Sequence, residues 1–180
     1  MPGPKLTVAG TASLILTLTA LTFAVDGPRL GRPATPEEVE AVDKSIPPDG
    51  TGLPPGQGTA KQGETVYMKQ CASCHGEKGV GRTNDRLVGG LGTLVGNQPV
   101  KTVGSYWQWP TTLFDYTRRA MPFDAPLSLS DEQVYAVTAY LLNLNGVIGE
   151  DDVMNAQTLS RTKMPNRDGF INAYPDRPKQ

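Results

Sequence analysis

The chain contains two cysteines and one histidine, and all three lie in the run Cys71-Ala72-Ser73-Cys74-His75. A Cys-x-x-Cys-His run is the attachment signature of a c-type haem. If this run is helical, Cys71 and Cys74 lie on one face, where their thiols can reach the two vinyl groups of one porphyrin. His75 follows directly and can bind the iron beneath the same ring. The motif therefore predicts one covalently bound haem c.

Two other interpretations of this run are less favourable. A structural zinc site needs four Cys or His ligands, whereas the whole chain has 2 Cys and 1 His. A redox-active dithiol also uses Cys-x-x-Cys and would suit an exported protein. It gives no reason, however, for the one histidine to follow Cys74 directly.

The sixth iron ligand cannot be a second histidine, so it is a methionine, another weak donor, or nothing. Met121 is the best placed methionine, because it lies between two expected helices and the proline after it limits the backbone. Met68 lies on the helix that carries the proximal side, and Met154 and Met164 lie near the end of the chain. The alternative for these three is ordinary burial in a core.

Composition indicates one modest domain with arms in the 180 residues. The 17 basic and 18 acidic residues leave no basic field for nucleic acid. The 20 Gly and 16 Pro lie mostly outside the helical segments, which indicates a small helical core wrapped by irregular chain. A haem would supply much of that core.

The first 25 residues have Lys5 and then an apolar, Thr-rich run, which is typical of an export signal, with Ala24 a plausible cleavage site. The run also approaches the roughly 20 residues that a spanning helix needs, so an uncleaved membrane anchor is the alternative. Either way we expect the domain in the periplasm, and at the membrane only if the segment is not cleaved.

Four segments are expected along the chain: a signal peptide or anchor (1–25), a Pro/Gly-rich arm (26–58), a helical domain (59–146) and a C-terminal tail (147–180) that lies along the domain or a partner. The arm contains one expected short helix, from Pro36 to about Lys44, although a solvated spacer is the alternative. The domain begins with a helix capped by Thr59 and Gln62, which runs into the Cys-x-x-Cys run.

Three features of the domain should position the site. A glycine inside a helix costs about 1 kcal/mol against alanine, so Gly63 predicts close packing against another backbone. The partner is an amphipathic last helix that is capped by Ser130 and has an apolar stripe. A third helix, Thr112 to Ala120, leads to Met121.

The Gly-rich stretch 76–104 has little periodicity and should be a loop around the haem edge. Its candidates for pairing with the haem propionates are Arg86 first, then Arg82 and Lys101. The rings of Tyr106 and Trp107 should line the haem pocket. The alternatives are solvated surface charges for the cations and plain packing for the rings.

The order of segments in this chain resembles the all-α class I cytochrome c fold: a helix, the Cys-Ala-Ser-Cys-His run, a glycine loop, a helix, Ala-Met-Pro-Phe and a final helix. A closer resemblance, to the cytochrome subunit of sulfite and sulfane dehydrogenases, rests on five stretches: Pro48-Asp49-Gly50-Thr51-Gly52-Leu53-Pro54, Arg86-Leu87-Val88-Gly89-Gly90, Lys101-Thr102-Val103-Gly104-Ser105-Tyr106-Trp107, Arg119-Ala120-Met121-Pro122-Phe123 and Met164-Pro165-Asn166-Arg167-Asp168-Gly169-Phe170.

The resemblance implies Cys71 and Cys74 as thioether sites and His75 and Met121 as axial ligands. It also implies a molybdenum-cofactor subunit as electron donor, which oxidises sulfur compounds in the periplasm. The sulfane dehydrogenase cytochrome has two haem domains, and this chain, with one attachment motif, resembles only the C-terminal one.

The expected function is therefore single-electron transfer without catalysis, from the molybdenum subunit to a downstream cytochrome c or oxidase. Two filled axial positions leave no site on the iron for a substrate. The alternative is a haem enzyme with an open or labile axial site that acts directly on a sulfur compound or peroxide. The absence of a second histidine and of an evident distal acid-base pair disfavours it.

Overall fold

The structure is a computed structural model that describes Gly3 and residues 30–174. Apart from Gly3, the expected signal segment, 1–25, lies outside the described residues. The end of the tail, 175–180, lies outside them as well. The chain divides into two compact units, Met1–Thr35 and Pro36–Gln180, and every helix and strand below belongs to the second. Among the described residues, no helix is both long and apolar enough to cross a membrane.

The described chain is mostly helical, as expected for an all-α protein. In order, its elements are α1 Pro36–Val42, β1 Gln57–Gly58, α2 Ala60–Gln70, α3 Ala72–His75, α4 Pro110–Ala120, α5 Asp131–Leu144, β2 Met154–Asn155 and α6 Ala156–Arg161. Short 3-10 helices interrupt the glycine loop at Glu77–Gly79 and Thr93–Val95. The predicted capping boxes at the starts of α2 and α5 are both present, so the residues that stop fraying there were identified correctly.

The crossing of α2 and α5 forms the centre of the fold. A Cβ added at Gly63 would lie 1.9 Å from the carbonyl oxygen of Ala136 and 2.8 Å from Cβ of Tyr140. The predicted close packing at Gly63 is therefore confirmed, and its partner is α5. One turn later, the buried ring of Tyr67 lies 5.2 Å from the ring of Tyr140.

Helix α4 begins two residues before the predicted start at Thr112, because Pro110 occupies the first helical turn after the N-cap Trp109. Asp115 therefore lies in the middle of the helix and is buried, instead of near the helix start. Its Oδ1 accepts hydrogen bonds from the backbone N–H of Ile46 at 3.0 Å and from Nε of Arg119 at 2.8 Å. The side chain thus ties the arm to α4.

The arm lies along the helices beyond Ile46. The hydroxyl of Thr111 donates to the carbonyl of Pro48 at 3.2 Å, and the hydroxyl of Tyr135 donates to the carbonyl of Pro54 at 2.9 Å. Helix α1, by contrast, has no buried residue and ends at Val42. Only the second half of the described arm therefore packs on the core.

The tail returns to the core instead of leaving it. β2 pairs antiparallel with β1, and Met154, Leu159 and Met164 are buried. Burial in the core, the alternative considered for Met154 and Met164, is thus confirmed, whereas Met68 is 46% exposed on α2. The tail packs on the domain by means of three apolar side chains.

Candidate haem site

A cavity of about 510 Å³ opens between α2, α3, α4, α5 and the loops that join them. Its volume lies within the roughly 300–1,000 Å³ typical of cofactor sites. The residues that line it include two thiols, one imidazole, one thioether, one guanidinium and several apolar and aromatic side chains: Tyr67, Cys71, Cys74, His75, Arg86, Leu87, Val103, Trp107, Leu113, Tyr116, Met121, Phe123, Val137 and Leu141.

The attachment run forms a separate one-turn helix, α3, preceded by a break at Cys71, instead of continuing α2. Helix α2 ends at Gln70, and Cys71 takes a non-helical conformation with φ −123° and ψ −35°. The carbonyl of Cys71 still accepts the N–H groups of Cys74 at 3.1 Å and His75 at 3.0 Å. The run thus keeps helical spacing, and both thiols and the imidazole line the same cavity.

The environment of Cys71 differs from that of a redox-active thiol. Its burial, and to a lesser degree the neighbouring Cys74, raise the pKa of the Cys71 thiol to about 11. Redox-active dithiols use thiols whose pKa is lowered, because the thiolate is the nucleophile. The shift therefore disfavours Cys71 as the attacking thiol of a redox-active dithiol.

His75 is oriented by a backbone group. Its Nδ1 lies 2.8 Å from the carbonyl oxygen of Asp85. A carbonyl only accepts, so Nδ1 carries the proton and donates it, which leaves Nε2 free to bind a metal. No sequence signal marks Asp85, because the contact uses its main chain and not its side chain.

A tight glycine turn brings Asp85 to the imidazole. Gly76 has φ +78°, and a Cβ there would lie 2.6 Å from the carbonyl oxygen of Gly81. The N–H of Gly81 donates to the carbonyl of His75 at 2.7 Å, so the loop folds back directly over the attachment turn. The hydroxyl of Tyr67 donates to the carbonyl of Gly76 at 2.9 Å and fixes the turn from the other side.

Met121 lies on the wall of the same cavity, at the end of α4. Its backbone is extended, with φ −123° and ψ 146°, and its N–H donates to the carbonyl of Thr117 at 3.1 Å. The next residue, Pro122, is buried and also lines the cavity. The chain thus leaves α4 abruptly at the residue predicted to be the sixth ligand.

The predicted pocket residues divide into two groups. Arg86, Lys101 and Trp107 line the cavity, whereas Tyr106 and Arg82 are not among its lining residues. The ring of Tyr106 instead packs edge-on against Phe170 at 5.2 Å, with Nζ of Lys101 5.0 Å from its centroid. Tyr106 ends a turn in which its N–H donates to the carbonyl of Thr102 at 3.0 Å, and Trp107 follows that turn.

The tail holds this aromatic segment from outside. The side chain of Asn166 donates from Nδ2 to the carbonyl of Tyr106 at 2.7 Å, and Gln108 donates from Nε2 to the carbonyl of Arg167 at 3.0 Å. The guanidinium carbon of Arg167 lies 3.0 Å from the ring centroid of Trp109. Trp107 therefore lines the cavity on a segment whose outer face is covered by the tail.

The donor set of this cavity fits a haem. It combines two thiols at helical spacing, an imidazole with Nε2 free, a thioether and apolar walls. Within the described part of the chain, no group of three or more His, Cys, Asp or Glu residues could hold a separate metal ion. A small helical domain with such a cavity between its helices defines a class I cytochrome c.

Comparisons with known proteins agree with this class. The family model described as cytochrome c oxidase, cbb3-type, subunit III matches residues 58–141. The chain is also similar to a chain in the crystal structure of the sulfane dehydrogenase SoxCD from Paracoccus pantotrophus, with 41% identity and a TM-score of 0.75, over 82% of this chain and 74% of that chain. No curated protein sequence matches the chain.

The chain therefore belongs to the cytochrome c family and is a haem-binding electron-transfer cytochrome related to a sulfane dehydrogenase. The resemblance inferred from the sequence, to the cytochrome subunit of sulfite and sulfane dehydrogenases, is confirmed. The class I cytochrome c fold is confirmed as well.

Proposed function

We propose that the protein binds one haem covalently through Cys71 and Cys74, with His75 and Met121 as the axial ligands of the iron. The observation that carries the proposal is that these four side chains line one cavity, although Met121 is far from the other three in sequence. When bound, the haem supplies an iron that takes up and releases one electron.

The protein's own groups then set the strength of the iron's ligands and its preferred oxidation state. The Asp85 carbonyl holds the proton of His75 on Nδ1 and so makes the imidazole a better donor at Nε2. The thioether of Met121 would be the second iron ligand from the protein and would favour the reduced state. Cys74 is exposed, so the site reaches the surface on the side of the attachment turn, where an electron partner can approach.

Covalent attachment and haem number are tested by mass spectrometry of the periplasmically expressed protein. We expect a mass increase of one haem that survives denaturation, and its loss in the Cys71→Ser/Cys74→Ser double variant. A Ser73→Ala variant, which changes the same turn without removing a thiol, should keep the haem. A haem that is released from wild type by denaturation would contradict covalent attachment.

We further propose that the electron donor is a molybdenum-cofactor subunit that oxidises a sulfur compound, so that this chain is the non-catalytic, electron-accepting subunit. The support is the similarity to the SoxCD structure over most of both chains. The packed arm and tail also favour a fixed subunit, because they enlarge the surface available to a partner beyond a haem edge.

In this proposal the assembly works in the periplasm and passes electrons to a downstream cytochrome c or oxidase. The test is co-purification from the native periplasm, followed by addition of sulfite or a sulfane donor to the oxidised complex. We expect a molybdenum protein in the complex and reduction of the haem. Haem that stays oxidised with every sulfur donor, while dithionite reduces it, would remove the sulfur assignment and leave the electron-transfer class intact.

A further inference from the structure

The loop between α4 and α5, residues 121–130, carries Met121 at its first position. Apart from Met121, the buried Pro122 and the partly buried Leu129, its residues are exposed, and Leu127, which does not line the cavity, is 64% exposed. Its internal hydrogen bonds are turns, from Ala125 N–H to the Pro122 carbonyl at 3.0 Å and from Ser128 N–H to the Ala125 carbonyl at 3.3 Å. Little packing therefore holds the loop in place.

One ion pair closes the base of this loop. Nε of Arg118, in the last turn of α4, lies 3.0 Å from Oδ1 of Asp131, the first residue of α5. The two side chains are 22% and 33% exposed, so the pair is partly shielded from solvent. By contrast, the pair between Lys163 and Asp168 in the tail is 75% and 78% exposed.

The neighbouring arginine, Arg119, pairs with a carboxylate of its own helix. Arg119 donates from Nε and Nη2 to the two carboxylate oxygens of the buried Asp115, at 2.8 Å and 2.5 Å. Asp115 also accepts the N–H of Ile46 in the arm. The end of α4 that precedes Met121 is thus fixed to the arm through Asp115, which Arg119 also contacts, and to α5 by Arg118.

We propose that the Arg118–Asp131 pair is a positioning clasp for Met121: it holds the base of the loop closed and thereby keeps the thioether on the iron. The proposal rests on the axial role proposed for Met121. An axial bond to Met121 and the clasp would close the same loop from two sides, so each lowers the entropic cost of forming the other. Breaking the clasp therefore raises the population in which the sixth position is open.

The experiment compares Asp131→Asn with Glu132→Gln in the haem-loaded protein. Both variants remove one negative charge from the first turn of α5, so both lose the same kind of helix-dipole energy, but only the first breaks the clasp. Carbon monoxide binding to the ferrous protein and the Met-to-iron charge-transfer band of the ferric protein report the open population.

We expect Asp131→Asn to raise carbon monoxide occupancy at a fixed subsaturating concentration about two- to fivefold, the range expected for a partly exposed ion pair. Glu132→Gln should leave occupancy at the wild-type level. Arg118→Gln should behave like Asp131→Asn, and Arg118→Lys should recover part of the closure because it keeps the charge.

Two results would overturn the clasp. If Asp131→Asn lowers the free energy of unfolding but leaves carbon monoxide binding unchanged, the pair has a structural role only. If Asp131→Asn and Glu132→Gln raise carbon monoxide occupancy equally, the effect comes from the charge near the start of α5. Wild type that binds carbon monoxide readily would instead overturn the proposed Met121 ligation, so the two failures are distinguishable.

Discussion

Gly63 on α2 and Ala136 on α5 approach so closely that a Cβ at position 63 would lie 1.9 Å from the Ala136 carbonyl oxygen. We expect Gly63→Ala to destabilise the protein by about 2 kcal/mol, because overpacking outweighs the helix propensity of roughly 1 kcal/mol that alanine gains. The measurement is the midpoint of urea unfolding. Gly149→Ala is the control, because the atom nearest to a Cβ added at position 149 belongs to the flexible carboxylate of Asp152, at 3.3 Å.

Met121→Ala should open the sixth position of the iron. We expect carbon monoxide binding to the ferrous protein to rise from a small occupied fraction to saturation at the same concentration, the charge-transfer band to vanish, and the reduction potential to fall, because Met ligation raises it. Met68→Ala is the matched control, since Met68 is half exposed on α2. If Met68→Ala opened the iron and Met121→Ala did not, the ligand assignment would be wrong.

The phenol of Tyr135 should make stability depend on alkaline pH. Burial, with a smaller contribution from Asp131, raises the pKa of Tyr135 to about 12, against about 10 in an unfolded chain. The unfolded chain therefore binds fewer protons over this interval, and the free energy of unfolding falls as pH rises from about 10 to about 12. Below about pH 10 the Tyr135 phenol is protonated in both states, so its contribution to the free energy of unfolding is fully present.

Tyr135→Phe tests this dependence. At neutral pH the variant should be about 1 kcal/mol less stable, because the hydrogen bond to the Pro54 carbonyl is lost. Its stability should then fall less steeply than that of wild type above about pH 10. Urea unfolding at several pH values measures both effects.

Asp115 should decide whether the arm stays on the core. We expect Asp115→Ala to cost about 2 kcal/mol, because the buried N–H of Ile46 loses its acceptor. Limited proteolysis should then cut the arm near residues 43–50. Arg119→Lys keeps the charge and leaves the Ile46 contact in place, so it should protect the arm as wild type does. Equal cleavage in both variants would show that the Ile46 contact is not the anchor.

Local sequence signals predicted the helices well because the determinants were themselves local. The capping boxes of α2 and α5 require residues three positions apart, and the spacing of Cys71, Cys74 and His75 requires one turn. The sequence pattern predicts the start of α4 two residues late, because the tryptophan before Pro110 is an uncommon N-cap without a side-chain acceptor.

The sequence by itself determined the cofactor chemistry, the helical class and the need for close packing at Gly63, since each follows from residue type and short spacing. Only the tertiary structure decided what meets across the fold: the Asp85 carbonyl at His75, and Trp107 facing the cavity while Tyr106 faces the tail. These contacts join distant segments through main-chain atoms and side-chain directions, and no local pattern encodes them.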